Sequence, residues 1–490
     1  MATSRFRPWS HPRYPCYPKY SNSFPWDTLL KIGFVSLGCP KNLVDSEVMM
    51  GLLAAKGHEL TPHPGEADVL VVNTCSFIDP AKKESVDTIL EMAEFKKTGR
   101  AQRLIVAGCL VERYRGDIRK EMPEVDAIVG TNEIEGIVAA CEGLSPVASG
   151  APAPYLYHDL TPRVLATPRH FAYLKIAEGC DHPCTFCVIP QYRGRFRSRR
   201  FESVIAEAAR LFGQGVREIN LIGQDTTCYG EDLGLADGLP LLLERLARIE
   251  TAREKWIRFL YAYPNRVTQK LLDTMAAHPS LVKYIDMPLQ HASARVLKRM
   301  KRGGSGDIFL KLIERIRRTI PGVAIRTSFI AGFPGETAED FAELCQFVQA
   351  ARFDNLGVFA YSDEDTSASF ALSGKVDGRT IHNRKRHLMA LQRKIARARN
   401  RQLVGREVAV LVEGPSKETD LLWQGRMPTQ APEIDGVALI NDFEGAPPQP
   451  GEIRRLRIAE AHDYDVVGGL AASTELPPAF APAPLFQIAL

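Results

Sequence analysis

The sequence predicts an α/β protein with three folded domains: an N-terminal doubly wound parallel sheet, a central partial (β/α) barrel and a small C-terminal β-barrel. Its length of 490 residues matches about three domains of ordinary size. From residue 31 to residue 402, short apolar runs alternate with amphipathic stretches, as parallel strands and their covering helices do. Beyond residue 403, short strands separated by turn residues indicate a small β-barrel.

The composition is that of a folded chain without a membrane segment. Hydrophobic residues make up 45% of the chain and charged residues 24%, which is typical of globular domains. No run of about eighteen apolar residues occurs, so no membrane span is expected. The first thirty residues lack the apolar segment of a signal peptide, so we expect a cytoplasmic location. There, the ten cysteines are expected to be metal ligands, catalytic groups or buried thiols and not disulfides.

The domain boundaries follow changes in composition. A stretch rich in Pro, Ala and Gly separates the first two domains, and a very basic helix at residues 379–401 ends the second. The predicted segments are a flexible leader (1–30), the N-terminal domain (31–145), a linker (146–165), the central domain (166–402), the C-terminal barrel (403–470) and a disordered tail (471–490).

Apolar runs locate the strands within each domain. In the N-terminal domain they are expected at residues 32–37, 69–72, 104–107 and 127–129. In the central domain they are expected at residues 172–176, 218–222, 257–261, 284–287, 323–330 and 355–359. In the C-terminal barrel they are expected at residues 408–412, 421–424, 436–440 and 453–458. Six strand–helix units suit a complete or partial parallel barrel, whose active site lies at the carboxyl ends of the strands.

A compact cysteine motif follows the first strand of the central domain. The segment EGCDHPCTFCVIP contains Cys180, Cys184 and Cys187 with C-x3-C-x2-C spacing. Three thiolates on one short loop can ligate an iron–sulfur cluster, which needs soft sulfur ligands. A 4Fe–4S cluster held by three thiolates leaves one iron open to a small molecule. The alternatives are a redox-inert cluster or a structural zinc site, for which His182 is the nearest fourth ligand.

A second set of cysteines is dispersed along the N-terminal domain. Cys39, Cys75 and Cys109 each follow a predicted strand by a few residues. Because the carboxyl ends of parallel strands share one edge of the sheet, these thiols are expected to meet there and to bind a metal centre. The alternative is that each packs as a small buried hydrophobe, which is also the expectation for the remaining thiols Cys16, Cys141, Cys228 and Cys345.

The compact motif resembles that of the radical S-adenosylmethionine (SAM) superfamily. The resemblance implies that Cys180, Cys184 and Cys187 ligate a 4Fe–4S cluster whose open iron binds SAM. An electron from the cluster then cleaves SAM to a 5′-deoxyadenosyl radical. The resemblance also places Phe186 near the adenine of SAM; the alternative is that Phe186 packs on the core.

The order of motifs narrows the resemblance further. SLGCPKNLVDSE, NTCSFIDPAKKES, GCLVERY and EGCDHPCTFC together resemble the methylthiotransferases, from about residue 31 to residue 468. This family has two 4Fe–4S clusters, so Cys39, Cys75 and Cys109 are implied to hold the first. That cluster carries or supplies the sulfur, while one SAM donates the methyl group and another provides the radical. A reducing partner such as flavodoxin or ferredoxin is implied; the sulfur donor is not.

Two further segments end barrel strands. In LIGQDTTCYG, Gln224 and Asp225 are expected near the active-site mouth, where they contact SAM or substrate or cap the next helix. In GFPGE, residues 332–336, the glycines and proline shape either a loop near the cofactor or a plain turn.

Charge bears on the substrate. Residues 403–470 contain six Lys or Arg and twelve Asp or Glu, a net charge of −6. An RNA-binding domain needs a basic surface, whereas an acidic one suits a basic protein partner. The alternative is that these acids only form a solvated surface.

Further motifs resemble one branch of the family. YIDMPLQHAS, RTSFIAGFPGE, NLGVFAYSDEDTSA and APEIDG resemble the branch that modifies an aspartate of ribosomal protein S12, and the C-terminal barrel resembles the TRAM domain. We therefore expect methylthiolation of the aspartate β-carbon in S12, free or in the small subunit. The alternatives are a transfer-RNA adenosine methylthiotransferase and an electron-transfer or structural iron–sulfur protein.

Two basic stretches allow other roles. Residues 193–200 and the helix at 379–401 are candidates to face phosphates, and a solvated surface is the default for the helix. Arg195 and Arg199 are also candidates to hold the SAM carboxylate or a substrate aspartate.

Overall fold

The computed structural model describes residues 29–144 and 155–472. The predicted tail, the leader up to residue 28, the first half of the linker and Cys16 lie outside the described residues, apart from residues 471 and 472. Within the described parts of the chain, no helix is long and apolar enough to span a membrane.

The N-terminal domain is a five-stranded parallel sheet in the order β2-β1-β3-β4-β5. Its strands are β1 (Lys31–Ser36), β2 (Glu59–Thr61), β3 (Val69–Thr74), β4 (Arg103–Gly108) and β5 (Ala127–Val129). Its helices are α1 (Pro40–Ala55), α2 (Asp79–Thr98), α3 (Cys109–Glu121) and α4 (Ile137–Glu142).

Helices cover both faces of this sheet, which confirms the predicted doubly wound arrangement. Val44 of α1 and Ile137 of α4 pack in one core cluster with Phe34 of β1. Residues of α2 and α3 pack in a separate cluster on the other face, with alternate residues of the same strands. The strand order changes direction at β1 and β3, and ligands bind at the carboxyl ends of strands beside such a point.

The central domain is an open parallel barrel of six main strands. The β-strands here are β6 (Phe171–Lys175), β7 (Ala177–Glu178), β8 (Arg197–Ser198), β9 (Glu218–Ile222), β10 (Trp256–Phe259), β11 (Tyr284–Asp286), β12 (Ala324–Ala331) and β13 (Asn355–Ala360). Two three-stranded parallel sheets, β6-β9-β10 and β11-β12-β13, are linked by a parallel bridge between Ile257 and Leu281. The short strands β7 and β8 pair with each other. The predicted partial (β/α) barrel is confirmed.

The helices of the central domain cover the outside of this barrel, apart from the short first one, which contacts α3 of the N-terminal domain. They are α5 (Ile189–Arg193), α6 (Phe201–Gly213), α7 (Gly238–Ala247), α8 (Gln269–Ala277), α9 (Ala294–Arg299), α10 (Gly306–Thr319), α11 (Ala338–Ala351) and α12 (Gly378–Arg401). The helix α10 shows why they pack: Phe309, Ile313 and Ile316 recur at helical spacing and are all buried. In α12 only Leu388, Gln392 and Ala396 are buried, so most of its basic side chains face solvent.

The C-terminal domain is a closed five-stranded barrel in the order β14-β15-β16-β18-β17. Its strands are β14 (Glu407–Pro415), β15 (Trp423–Arg426), β16 (Ala438–Phe443), β17 (Ile453–Ala461) and β18 (Val466–Leu470). The barrel is confirmed, but the sequence pattern predicts four strands and misses β18. Gly468 and Gly469 interrupt the apolar alternation of that strand, although it pairs with both β16 and β17.

One segment of the C-terminal domain enters the central barrel. This insertion loop (residues 427–436) follows β15 and contains the APEIDG motif. Arg258 of β10 donates hydrogen bonds of 3.0 Å to the carbonyls of Pro428 and Gln430, and the Tyr284 hydroxyl donates one of 2.7 Å to Asp435. Tyr284 is the first residue of β11, so the loop docks at the amino-terminal ends of the strands, opposite the cysteine motif.

Candidate active site

The three dispersed cysteines lie together at the carboxyl edge of the N-terminal sheet. Cys39 precedes α1, Cys75 directly follows β3, and Cys109 directly follows β4 and begins α3. Burial, together with the nearby sulfurs of Cys39 and Cys109, raises the pKa of Cys75 to about 12. The pKa of Cys109 is likewise raised, first by burial. The three thiols therefore lie close enough to interact electrostatically, and their role as metal ligands stays a prediction.

Two glycines allow this close approach. Gly38 and Gly108 precede Cys39 and Cys109, and both have φ of +93°, a conformation that glycine adopts without strain. A Cβ atom on Gly38 would lie 2.8 Å from the Cβ of Cys75. The chain can bring Cys39 and Cys75 side by side only because this position lacks a side chain.

The compact motif forms a loop directly after β7. Cys180, Cys184 and Cys187 interact electrostatically, and burial raises the pKa of Cys180 to about 11 and that of Cys187 to about 12. Backbone N–H groups of His182 and Ile189 donate to the sulfurs of Cys180 and Cys187. Such N–H donors stabilise thiolate sulfur and are among the groups that tune iron–sulfur clusters.

The spacing of the sulfurs bears on whether each set suits a cluster or a zinc ion. Among the described residues, neither cysteine set has its three sulfurs all within 4.8 Å of one another. Thiolates bound to one tetrahedral zinc at about 2.3 Å lie only about 3.8 Å apart. His182, the candidate fourth zinc ligand, instead bonds Asp225 at 2.6 Å and stacks on the ring of Tyr263. Both sets therefore fit a larger multi-iron group better than a zinc ion.

A layer of four buried charges adjoins both cysteine sets. This charged layer consists of Asp45, Lys175, Glu178 and Arg193. Arg193 donates to Asp45 at 2.7 Å and to Glu178 at 3.1 Å, and Lys175 donates to both carboxylates. Although burial opposes it, Lys175 and Arg193 hold the pKa of Glu178 well below its usual range. The layer touches Cys109 through Arg193, and Glu178 lies two residues before Cys180.

The other predicted site residues surround the compact motif. Gln224 donates to Glu178, while its carbonyl oxygen is buried and accepts no hydrogen bond within the described structure. Asp225 caps the short helix at Thr226–Cys228 by accepting from the Thr227 N–H, as in the capping alternative. Its carboxylate also accepts from His182 and from Cys228. Phe186 is half-buried against the central core.

Two further residues at the motif have no clear signal in the sequence. Arg302 follows α9, donates to the sulfur of Cys184 at 3.5 Å and lies over the ring of Tyr263. Tyr263 in turn stacks on His182. Neither belongs to a motif by spacing, because β10 and α9 bring them in from distant parts of the chain.

The basic stretch at residues 193–200 does not form a continuous phosphate-binding surface. Arg193 belongs to the charged layer, and Arg199 is buried with hydrogen bonds to Glu207 at 2.6 Å and Ser203 at 3.1 Å. The terminal nitrogens of Arg199 are bonded inside the fold, which does not favour its predicted role in holding a SAM carboxylate or a substrate aspartate; that role stays a prediction. Arg195 has a 90% exposed side chain and lies 3.5 Å from Asp181.

The other expected features behave as ordinary structure. Cys141 and Cys228 are buried, and Cys345 is partly buried. The segment at residues 332–336 forms a turn in which Glu336 accepts from the N–H groups of Gly332 and Phe333.

Fold and site together define a radical SAM enzyme with an additional N-terminal cysteine set. Family models match residues 31–130 (uncharacterized protein family UPF0004), 174–348 (radical SAM superfamily) and 404–470 (TRAM domain). The solved radical SAM methyltransferase TsrM of Kitasatospora setae, with cobalamin and a 4Fe–4S cluster bound, shares the fold with a TM-score of 0.51 at 14% identity. That match covers 68% of this chain and 75% of TsrM.

Curated relatives identify the family. The ribosomal protein uS12 methylthiotransferase RimO of Solibacter usitatus is 82% identical over 92% of this chain and 96% of its own length. The RimO proteins of Koribacter versatilis and Sorangium cellulosum are 59% and 47% identical, over 90% and 92% of this chain and 96% and 94% of their own. The chain belongs to the RimO family of ribosomal protein uS12 methylthiotransferases.

Proposed function

We infer that this chain methylthiolates the β-carbon of an aspartate in ribosomal protein uS12, by radical SAM chemistry with two 4Fe–4S clusters. Family membership supports this function, since relatives up to 82% identical are named for the same activity. The observation that favours the two-cluster mechanism is the placement of two cysteine sets beside one buried charged layer.

We assign the six cysteines to the two clusters. Cys180, Cys184 and Cys187 hold the cluster that binds SAM, and Cys39, Cys75 and Cys109 hold the other. The chemistry supplied by these groups is reductive cleavage of SAM to a carbon radical and delivery of the sulfur that is methylated. An electron donor such as flavodoxin or ferredoxin is part of the proposal, as is a cytoplasmic location.

The residues near the compact motif suit SAM binding. The buried carbonyl oxygen of Gln224 is an acceptor without a donor among the described residues, and an unpaired buried acceptor is costly. We assign it to a donor group of SAM. Asp225 accepts hydrogen bonds from His182, Thr227 and Cys228 beside the motif, and we assign it to the SAM site, where it orients His182. Phe186 is half-exposed beside Cys187 and presents an aromatic surface for the adenine.

The C-terminal barrel supports a basic protein substrate. Seven of its twelve acids and four of its six basic residues are exposed. The others are partly or fully buried, several of them in ion pairs. The exposed residues carry a smaller excess of acids than the whole domain does, but the surface still has a net negative charge. Such a surface attracts basic ribosomal protein more readily than RNA. The transfer-RNA alternative is not favoured, since the relatives named above are uS12 enzymes.

The test is anaerobic reconstitution of the full chain followed by assays of iron, SAM cleavage and product mass. The wild type should bind about eight irons, the content of two 4Fe–4S clusters, and add a methylthio group to uS12. Cys184→Ala should abolish SAM cleavage, because it removes a ligand of the SAM-binding cluster. Cys75→Ala should retain SAM cleavage but stop sulfur insertion.

The matched control is Cys345→Ala, which removes a thiol outside both sets and should change none of these results. Modified transfer RNA with unmodified uS12 would exclude the proposed substrate. Sulfur insertion by Cys75→Ala would exclude the N-terminal cysteine set from the mechanism.

A further inference from the structure

Arg193 connects the radical SAM domain to the N-terminal cysteine set. It is the last residue of α5, six positions after Cys187, and its side chain is 2% exposed. One terminal nitrogen, Nη2, donates to the Asn42 side-chain oxygen at 2.8 Å and to the sulfur of Cys109 at 3.4 Å. An arginine from one domain thus donates directly to a thiol of the other.

The rest of the charged layer fixes the orientation of Arg193. Its other terminal nitrogen, Nη1, donates to Asp45 and Glu178, and Lys175 bridges the same two carboxylates. Because the guanidinium is planar and its donors are rigidly arranged, anchoring Nη1 directs Nη2 at the sulfur. Asn42 is itself held by donating to the carbonyls of Leu37 and Thr74, so the Arg193 site is built from both sides.

We propose that Arg193 is a positioning residue for the N-terminal cluster: it holds Cys109 in place and raises the reduction potential of that cluster. The proposal rests on the proposed function in taking Cys39, Cys75 and Cys109 as cluster ligands. Hydrogen bonds to sulfur and nearby charge are the main protein controls on cluster potential. Reduction adds one negative charge to the cluster, and a buried positive charge 3.4 Å from a ligand sulfur stabilises that reduced state.

The Asp45 carboxylate gives an independent test of the direction in which charge shifts the reduction potential. It accepts from Arg193 and from Lys175 within the layer. Removing its negative charge leaves the positive charges less compensated, which should raise the cluster potential. Removing Arg193 should lower it. A general loosening of the fold would not shift the potential in opposite directions.

The experiment uses the full chain with Cys180, Cys184 and Cys187 all replaced by Ala, so that only the N-terminal set remains. After anaerobic reconstitution, the midpoint potential is measured by titration with dithionite, monitored by electron paramagnetic resonance. Arg193→Gln should lower the equilibrium constant for reduction at least tenfold, which is about 59 mV for a one-electron couple. The midpoint potential of Arg193→Lys should lie between those of the parent and Arg193→Gln, because lysine keeps the charge but loses the paired donors. Asp45→Asn should raise the potential.

Arg195→Gln is the matched control, since Arg195 lies two residues away on the same segment with a 90% exposed side chain. Its potential should equal that of the parent. If Arg193→Gln binds less iron at an unchanged melting temperature, the role in holding Cys109 is supported, and Arg193→Lys and Asp45→Asn then test the potential. An unchanged potential in a fully loaded Arg193→Gln, or a lowered one in Asp45→Asn, would overturn the proposal. A parent variant that binds no cluster would instead overturn the proposed function.

Discussion

At the scale of single residues, the N-terminal cysteine set depends on glycines as much as on thiols. Gly38 and Gly108 each precede a cysteine, and each has positive φ. At Gly108, an added Cβ would lie 2.2 Å from the Asn73 side-chain oxygen. Both positions therefore combine a backbone conformation unfavourable for other residues with space for hydrogen alone.

Gly38→Ala should disable the N-terminal set and spare the compact motif. The left-handed conformation costs an alanine about 1–2 kcal/mol, and the added methyl would collide with Cys75. We expect loss of about half the iron of a two-cluster protein, retained SAM cleavage and no sulfur insertion. Iron analysis and the SAM cleavage assay measure this.

Gly116→Ala is the control for this substitution. Gly116 lies within α3, and a Cβ there would meet no atom within 4 Å. Because alanine is a better helix former by about 0.5–1 kcal/mol, this variant should keep its iron and melt no lower than wild type. Full iron in Gly38→Ala would contradict the steric argument.

At the scale of elements, strands of two domains share a buried ladder of charges. Arg426 of β15 donates to Glu218 of β9 and to Glu413 of β14, both at 2.6 Å, and Glu218 also accepts from Arg258 at 3.0 Å. The insertion loop docks beside this ladder. Breaking one partner of a buried pair is strongly destabilising, so the ladder fixes how the C-terminal barrel attaches.

Glu413→Gln should destabilise the protein and make its stability less sensitive to pH in the acid range. Although burial opposes it, Arg426 and His170 lower the pKa of Glu413 from 4.5 to about 2. Because the folded pKa lies below the unfolded one, this contribution is complete above about pH 4.5 and is lost as pH falls toward 2. We expect a loss of about 3 kcal/mol at pH 7.

Thermal melts followed by circular dichroism at pH 7 and pH 3 measure this effect. The exposed Glu418, on the same barrel, provides Glu418→Gln as the control with unchanged stability. The wild type should lose more stability than Glu413→Gln between the two pH values. Equal losses of stability in the wild type and Glu413→Gln would show that the ladder does not lower the pKa of Glu413.

At the scale of the whole molecule, the N-terminal domain packs against the central domain beside the cysteine sets. Glu364 follows β13 and is 3% exposed; it accepts from Arg113 of α3 at 2.6 Å and from Lys82 of α2 at 2.8 Å. In the same loop, the hydroxyls of Thr366 and Tyr192 share a hydrogen bond of 2.8 Å, and the Tyr192 carbonyl accepts from Thr131 of the N-terminal domain at 2.9 Å. These contacts hold the N-terminal domain at a set position over the barrel, so they govern the separation of the two cysteine sets.

Glu364→Gln should uncouple SAM cleavage from product formation. Loss of the carboxylate leaves Arg113 without its buried partner, and the N-terminal domain should open away from the barrel. We expect unchanged SAM cleavage and methylthiolation reduced about tenfold, which corresponds to about 1.4 kcal/mol. The ratio of 5′-deoxyadenosine to methylthiolated uS12 measures the uncoupling.

Asp363→Asn serves as the control, because Asp363 is exposed and its described contacts lie within its own loop region, with Tyr361 and Lys375. This variant should keep the wild-type ratio. Equal loss of cleavage and product in Glu364→Gln would mean that the contact supports the barrel site and not the spacing of the domains. Hydrogen exchange in α2 and α3 would show the opening directly.

Much of this architecture follows from local sequence signals. Four of the five N-terminal strands and all six barrel strands lie within a residue or two of their predicted limits, because buried parallel strands are uninterrupted apolar runs. The short strand β2 is not predicted, because its three residues are too few to form an apolar run. It is stabilised by its pairing with β1.

By itself, the sequence determined the domain order, the alternation of strands and helices and the six cysteines, because each leaves a mark in spacing or hydrophobicity. Only the tertiary structure decided which charges meet. Arg193 reaches Cys109 across 84 positions, and Arg426 reaches Glu218 across 208. The physical reason is that a buried charge is stable only beside a partner, and the partner is chosen by packing in three dimensions, which no local pattern records.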